Sequence, residues 1–240
     1  MSTVTQTQHG MSPQVQRGVT RWIVRETMGV VMLALLLFLA AGTVNWIAGW
    51  AMVIVMAGWV AATAIVVIPR YPELLAERMG PKKGAKTWDT ALLGLYGVVM
   101  MIMWIVAGLD LRYQWSSGIG PVAQIVTMLI VIIGYGLVVW ATGTNAFFSQ
   151  VVRIQTERGH TVISTGPYQY VRHPAYVGMG LVVLGAPIML GSWWALIPGV
   201  ISAALMIVRT SLEDKTLQAE LPGYAEYAQH TRYRLIPGIW

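Results

Sequence analysis

Cysteine is absent from the 240-residue chain, which excludes a disulfide framework, a thiolate metal site and a cysteine nucleophile. Histidine is scarce. His9, His160, His173 and His230 leave little room for a multi-histidine metal centre, and no metal site is expected. Charge is scarce too: 11% of the residues are charged, against about 25% in a soluble domain. With 56% hydrophobic residues and a mean hydropathy of +0.60, an ordinary water-soluble globule is excluded. So is disorder, which requires low hydrophobicity. No Walker loop, zinc-helix motif or nucleophile elbow occurs. Gly118-x-Gly120-x-x-Ala123 copies the dinucleotide fingerprint, but no buried strand precedes it, so it carries no chemistry.

What the chain does contain is a series of long apolar runs. A helix needs about 20 apolar residues to cross the hydrocarbon core. Runs at 27–44, 46–69, 90–109 and 122–142 meet that length almost free of charge. Two shorter runs, 175–190 and 193–209, form a hairpin around Pro187 to Ser192. The expected fold is an all-α, polytopic membrane bundle of six transmembrane helices with a cytoplasmic cofactor-binding cap. Five crossings are the alternative if the hairpin is re-entrant. The chain divides into a cytoplasmic tail at 1–26, four spans at 27–142 with a loop at 70–89, and a catalytic region at 143–240. That last region holds a cofactor loop, the hairpin 175–209 and C-terminal amphipathic helices.

The cations test this count. Fifteen of the 16 Lys and Arg fall in the N-terminal tail, the loop after the second run, the loop after the fourth and the C-terminal segment. Arg112 alone falls on the other side. The positive-inside rule then places both termini, and the polar stretches, in the cytoplasm. The net charge of +6 flanks membrane spans, so anionic lipid headgroups, not nucleic acid, are the expected electrostatic partner. Most of the tryptophans, including Trp46, Trp50, Trp115, Trp193 and Trp194, fall near span ends and read as an interfacial belt.

A hydrophobic bundle needs only short turns, so polar material in excess asks for a reason. Three stretches exceed that need: Pro69–Asp89, Thr144–Pro174 and Arg209–Trp240. The first reads as structural, a short interfacial helix around Leu74 and Leu75. In the second, Pro174 pushes His173 out of helical geometry and opens the next helix. Arg172 and His173 therefore stand at a helix N-terminus, where free backbone N–H groups favour an anion. Tyr168, Tyr170 and Tyr176 read equally well as interfacial anchors, with Arg172 on a lipid phosphate. In the third stretch Arg209 and Glu213 share a helix face. Glu213 and Asp214 at the end of an apolar span need pairing or solvation. Pairing with Arg172, a cationic or hydroxyl-bearing ligand and a solvated helix face all satisfy that need.

Taken in order, these motifs resemble a known family. Gly166-Pro167-Tyr168-x-Tyr170-Val171-Arg172-His173-Pro174-x-Tyr176-x-Gly178, then Arg209-x-x-x-Glu213-Asp214-x-x-Leu217, then Tyr224-x-x-Tyr227, are similar to the isoprenylcysteine carboxyl methyltransferases. Integral-membrane phospholipid N-methyltransferases share much of the pattern. The resemblance covers about residues 150–240 in detail and implies a membrane methyltransferase using S-adenosylmethionine. It implies a cofactor site at Gln155, His160, Val162, Gly166, Tyr170, His173, Tyr176, Glu213 and Asp214. It implies a reacting end at Arg172, Arg209 and Glu213. Where the family often has two glutamates, this chain has Glu213-Asp214, so Glu213 is the better candidate.

The chemistry agrees. Such a cofactor needs carboxylate acceptors, an anion site and aromatic faces for its sulfonium. The implied acceptor is a lipophilic molecule within the bilayer, more readily a prenyl-cysteine-like carboxylate, which an arginine can hold without a general base. A phospholipid or other amine is the alternative and would need a base such as His173 or Glu213. Two further readings stand beside it. One is an NADPH-dependent sterol-type reductase, which would carry Asn and an acidic residue where Ala175 and Met179 stand. The other is a non-catalytic scaffold or transport component, which would place ionisable residues mid-membrane in the first four runs.

Overall fold

The computed structural model describes residues 11–80 and 83–240; Met1–Gly10 (with His9), Pro81 and Lys82 lie outside the described residues. Among the described residues the regular elements are all helical. They are α1 (Pro13–Ala41), α2 (Ile47–Val67), α3 (Pro72–Met79), α4 (Thr87–Tyr113), α5 (Pro121–Thr144), α6 (Pro174–Met189), α7 (Leu196–Glu220) and α8 (Tyr224–His230), with short 3-10 turns at Thr156–Arg158 and Gly166–Gln169.

Five helices, α1, α2, α4, α5 and α7, are long and apolar enough to cross a bilayer. The sixth expected crossing is shorter. α6 has 16 residues, about 24 Å of helix against a core of about 30 Å. It still links the two ends of the bundle. His173 precedes it at one end, and Ser192 follows it at the other with its hydroxyl on Asp110. This is an integral, multi-pass membrane protein.

Two helices outrun their apolar segments. α1 starts at Pro13, well before position 27, because Ser12 caps the Val15 N–H at 3.3 Å and Val19 and Trp22 bury against α3. α7 continues past position 209 to Glu220. That extension keeps Arg209, Glu213 and Asp214 on one rigid helix, and Leu221-Pro222-Gly223 ends it, with Gly223 at φ 81°.

α5 and α6 pack most closely. A Cβ on Gly134 would sit 2.6 Å from the Gly178 carbonyl oxygen, and a Cβ on Gly178 would strike the Gly134 carbonyl in turn. Small residues let membrane helices approach backbone to backbone, and this contact sets the height of the Arg-His-Pro turn against α5. At the end remote from that turn, buried Asp110 accepts the Ser116 N–H at 2.7 Å and the Ser116 and Ser192 hydroxyls. This polar knot pins α4 to the α6–α7 hairpin. Trp50, Trp115, Trp193 and Trp194 are about half exposed, as belt residues should be, whereas Trp46 and Trp104 are buried in the core.

The other end is loop-rich. It gathers the start of α1, the α2–α4 connection with α3, the long α5–α6 connection and everything after α7. Arg153 pairs with Glu77 at 3.0 Å with both side chains buried, Arg78 donates to the Phe148 carbonyl at 3.0 Å, and Lys86 N donates to the Val152 carbonyl at 3.1 Å. Each contact ties the α2–α4 connection to the α5–α6 connection.

Candidate active site

Pro174 decides the local geometry. It opens α6 and holds His173 at φ −127°, outside helical space. The extended backbone leaves two N–H groups free to pair with the chain end. Arg172 N donates to the Tyr233 carbonyl at 2.9 Å and His173 N to the Arg234 carbonyl at 3.0 Å. A C-terminal strap is thereby stitched to the Arg-His-Pro turn.

Beneath the strap lies Asp214, fully buried. Its Oδ1 accepts from Arg172 Nε at 2.7 Å and its Oδ2 from Arg172 Nη2 at 2.9 Å, a bidentate pair. Arg234 Nε at 2.8 Å, Gln218 Nε2 at 2.8 Å and the Tyr224 hydroxyl at 3.2 Å also donate to it. His173 Nε2 stands 3.3 Å away. Arg172 gives its other arm to the Thr231 and Arg232 carbonyls, at 2.8 and 2.7 Å. Burial works against the Arg172 charge, but the Asp214 carboxylate outweighs it and holds the pKa above its ordinary value. Of the partners left open for Asp214, Arg172 is the one it takes.

The neighbouring Glu213 faces elsewhere. It lines a pocket together with His160, Val162, Tyr176, Leu217 and Tyr224. Its Oε2 accepts the Tyr176 hydroxyl at 2.5 Å. His173 stacks on Tyr176 with the rings 5° from parallel. His160 rests against Phe147, centroids 4.7 Å apart, with Nδ1 3.4 Å from the Gln155 N–H. That contact assigns the neutral ring proton to Nε2. Burial first, then the Arg158 and Arg153 charges, lower the His160 pKa to about 4. Burial pushes the Tyr227 hydroxyl up to about 12, so it stays a donor, to the Tyr168 carbonyl at 2.6 Å.

Most of the residues singled out from sequence meet here. His160, Val162, Arg172, His173, Tyr176 and Glu213 line the pocket. Gln155 is fully buried behind it, donating to the Phe147 carbonyl and accepting from Arg158. Gly166, at φ 60°, packs against Thr144. Tyr170 is 60% exposed and lies outside the pocket lining. Arg209 is buried and bound to Asp89, Nε to Oδ1 at 2.6 Å, with further donations to the Gln150 carbonyl and the Tyr176 hydroxyl. Each of the two arginines commits four of its five N–H groups to protein acceptors. A bidentate grip on a further carboxylate would break one of these pairs.

Sequence reasoning missed Asp89, Arg234 and Gln218. Asp89 carried a signal. A carboxylate in the first turn of an apolar helix needs a cation when it is buried, and Arg209 at the end of another span is a candidate complement. Arg234 and Gln218 carried none.

Residues 122–221 match the family described as phospholipid methyltransferase. The cobalt-zinc-cadmium resistance protein CzcN of Cupriavidus metallidurans is 36% identical over 81 residues, 32% of this chain and 37% of that protein. The protein-S-isoprenylcysteine O-methyltransferase of Schizosaccharomyces pombe is 39% identical over 46 residues, 19% of this chain and 20% of that protein. The chain thus spans well under half the length of the curated relatives it matches. A solved structure, the eukaryotic intramembrane Ras methyltransferase ICMT (isoprenylcysteine carboxyl methyltransferase), superposes with a TM-score of 0.51 at 17% identity. It covers 95% of this chain and 99% of that one. The resemblance to the isoprenylcysteine carboxyl methyltransferase family is borne out. The matched segment holds His160, Arg172, His173, Arg209, Glu213 and Asp214, while Tyr224 and the strap lie beyond it. At 17% identity the solved structure of this family speaks for the fold.

Proposed function

We propose that this chain transfers the methyl group of S-adenosylmethionine to a lipophilic acceptor of prenyl-cysteine-like chemistry at the loop-rich end of the bundle. By the distribution of cations, that end faces the cytoplasm. The observation that carries the reading is Glu213, a carboxylate on the pocket wall with one oxygen on Tyr176, in a lining that also holds Phe148, Tyr168, Tyr224 and Tyr227. That donor set fits a ligand bearing a sulfonium and an ammonium. A neutral His160, donating from Nε2, suits a carboxylate or ribose oxygen.

When bound, the cofactor would supply an electrophilic methyl carbon with its thioether as leaving group, and an ionised acceptor would have no proton to remove. The chain's own contribution is positioning and exclusion of water. Asp214 and Arg172 lock the strap to the Arg-His-Pro turn, whose Arg172 and His173 line the pocket. Tyr176 and His173 form one stacked wall. Alignment of this kind supplies much of the acceleration of an in-line displacement. A phospholipid amine is the second reading. The phospholipid methyltransferase match and the heavily committed arginines favour it.

The test uses detergent-purified protein. Calorimetry should show binding of S-adenosylmethionine, weakened roughly 10- to 100-fold in Glu213→Gln, the size of one hydrogen bond to a charged group. A labelled methyl group should pass to a prenyl-cysteine acceptor or, on the second reading, to a phospholipid amine. Binding of NADPH in place of S-adenosylmethionine, or binding without transfer to any lipid, would refute the proposal.

A further inference from the structure

Asp89 is fully buried in the first turn of α4 and lines no part of the pocket. A continuous run of polar contacts nevertheless joins it to Glu213. Asp89 Oδ2 accepts the Val152 N–H at 2.7 Å, and the carboxylate takes Arg209 Nε at 2.6 Å and Nη2 at 3.3 Å. Arg209 passes its other arm to the Tyr176 hydroxyl, and that hydroxyl donates to Glu213 Oε2 at 2.5 Å.

The proton order in this run has one solution. A guanidinium only donates, so the Tyr176 oxygen must accept from Arg209. Its single proton is then left for Glu213, whose Oε2 accepts it. Among the described residues, Glu213 has a protein partner on Oε2 alone. The charges add to the same point. Asp89 and Glu213 bring two negatives, Arg209 one positive, and the excess negative charge falls on the member that borders the pocket.

We infer that Asp89 is a positioning residue which, through Arg209 and Tyr176, holds the Glu213 carboxylate toward the pocket and so sets its affinity for a cationic ligand. The inference rests on the proposed function for the identity of that ligand. Without the Asp89 charge, the buried Arg209 is left with the Glu213 carboxylate, which it reaches through the shared Tyr176 hydroxyl. It draws Glu213 inward and cancels the excess negative charge. The pocket walls need not move. A cation should lose affinity while a neutral ligand of similar shape should not.

The experiment compares S-adenosylmethionine with neutral adenosine on wild type, Asp89→Asn, Glu213→Gln and the double variant, by calorimetry in detergent. Asp89→Asn should weaken S-adenosylmethionine roughly tenfold, as for one contact to a charged group, and leave adenosine unchanged. In the Glu213→Gln background it should add nothing, because the two substitutions act on one interaction. Asp89→Glu should restore part of the affinity. Losses that add, or an equal loss of adenosine, would overturn the inference and leave Asp89 as a fold residue. If Glu213→Gln itself leaves S-adenosylmethionine binding untouched, the functional reading fails together with the inference. Should Asp89→Asn fail to fold, Tyr176→Phe interrupts the same run without leaving a buried charge unpaired. It must show the same selective, non-additive loss, and its absence would overturn the inference.

Discussion

Replacing Asp214 with Asn should release the C-terminal strap while the helical bundle stays folded. The Arg172 and Asp214 side chains are 6% and 0% exposed, so removing one charge leaves the other buried and uncompensated. Breaking a buried pair in that way costs about 3–5 kcal/mol. Asn presents an amide N–H₂ where Oδ2 now accepts from Arg172, Arg234 and Gln218, so one edge of the side chain turns from attractive to repulsive. The strap's backbone contacts with the Arg172 and His173 N–H groups, at 2.9 and 3.0 Å, then open more often. At about 1.4 kcal/mol per decade, amide exchange at Arg172 and His173 should rise roughly 10²- to 10³-fold. Hydrogen-exchange mass spectrometry in detergent reads this directly. Arg234→Ala should do far less, because the Arg234 side chain is 29% exposed and rim pairs are worth up to about 1 kcal/mol. Unchanged exchange at residues 172–173 in Asp214→Asn would refute the reasoning. So would a rise shared equally by α1 and α2, which would mean global unfolding.

Other outcomes follow from the same geometry. His160 is held down to about 4 from an ordinary 6.5, so between those values the unfolded chain binds more protons than the folded one. Its contribution to stability is therefore full above pH 6.5 and lost as pH falls through about 4. The melting temperature of His160→Gln should decline less than that of wild type across this window, and parallel declines would refute the assignment. Gly134→Val should force α5 from α6 and cost about 1–3 kcal/mol by overpacking, read as a lowered melting temperature together with weaker S-adenosylmethionine binding. Asp110→Asn at the opposite end should cost about 1–3 kcal/mol through its unsatisfied serine and backbone donors, yet leave cofactor affinity as in wild type.

Local chemistry along the chain was sufficient for the helices and for the order of the motifs. Uncharged runs of about 20 residues have one stable form in lipid, because every backbone polar group must be satisfied within the segment. A proline after His173 breaks that form at a definable point. The all-helical membrane bundle, the Arg-His-Pro turn and the shared face of Arg209 and Glu213 were therefore legible. Helix ends were not, where packing rather than hydropathy extends them: α1 reaches back to Pro13 because Trp22 finds α3, and α7 runs on to Glu220. Nor was the division of labour between adjacent carboxylates. The resemblance favoured Glu213 but gave Asp214 no separate role; a helix turns about 100° per residue, and here that rotation points Glu213 into the pocket and Asp214 beneath the strap. The partner of each buried charge depends on which helix mouths meet, and the glycine contact between α5 and α6 contributes to that. Asp89 lies 120 residues from Arg209, a separation at which no spacing rule operates and three-dimensional packing alone makes the pair.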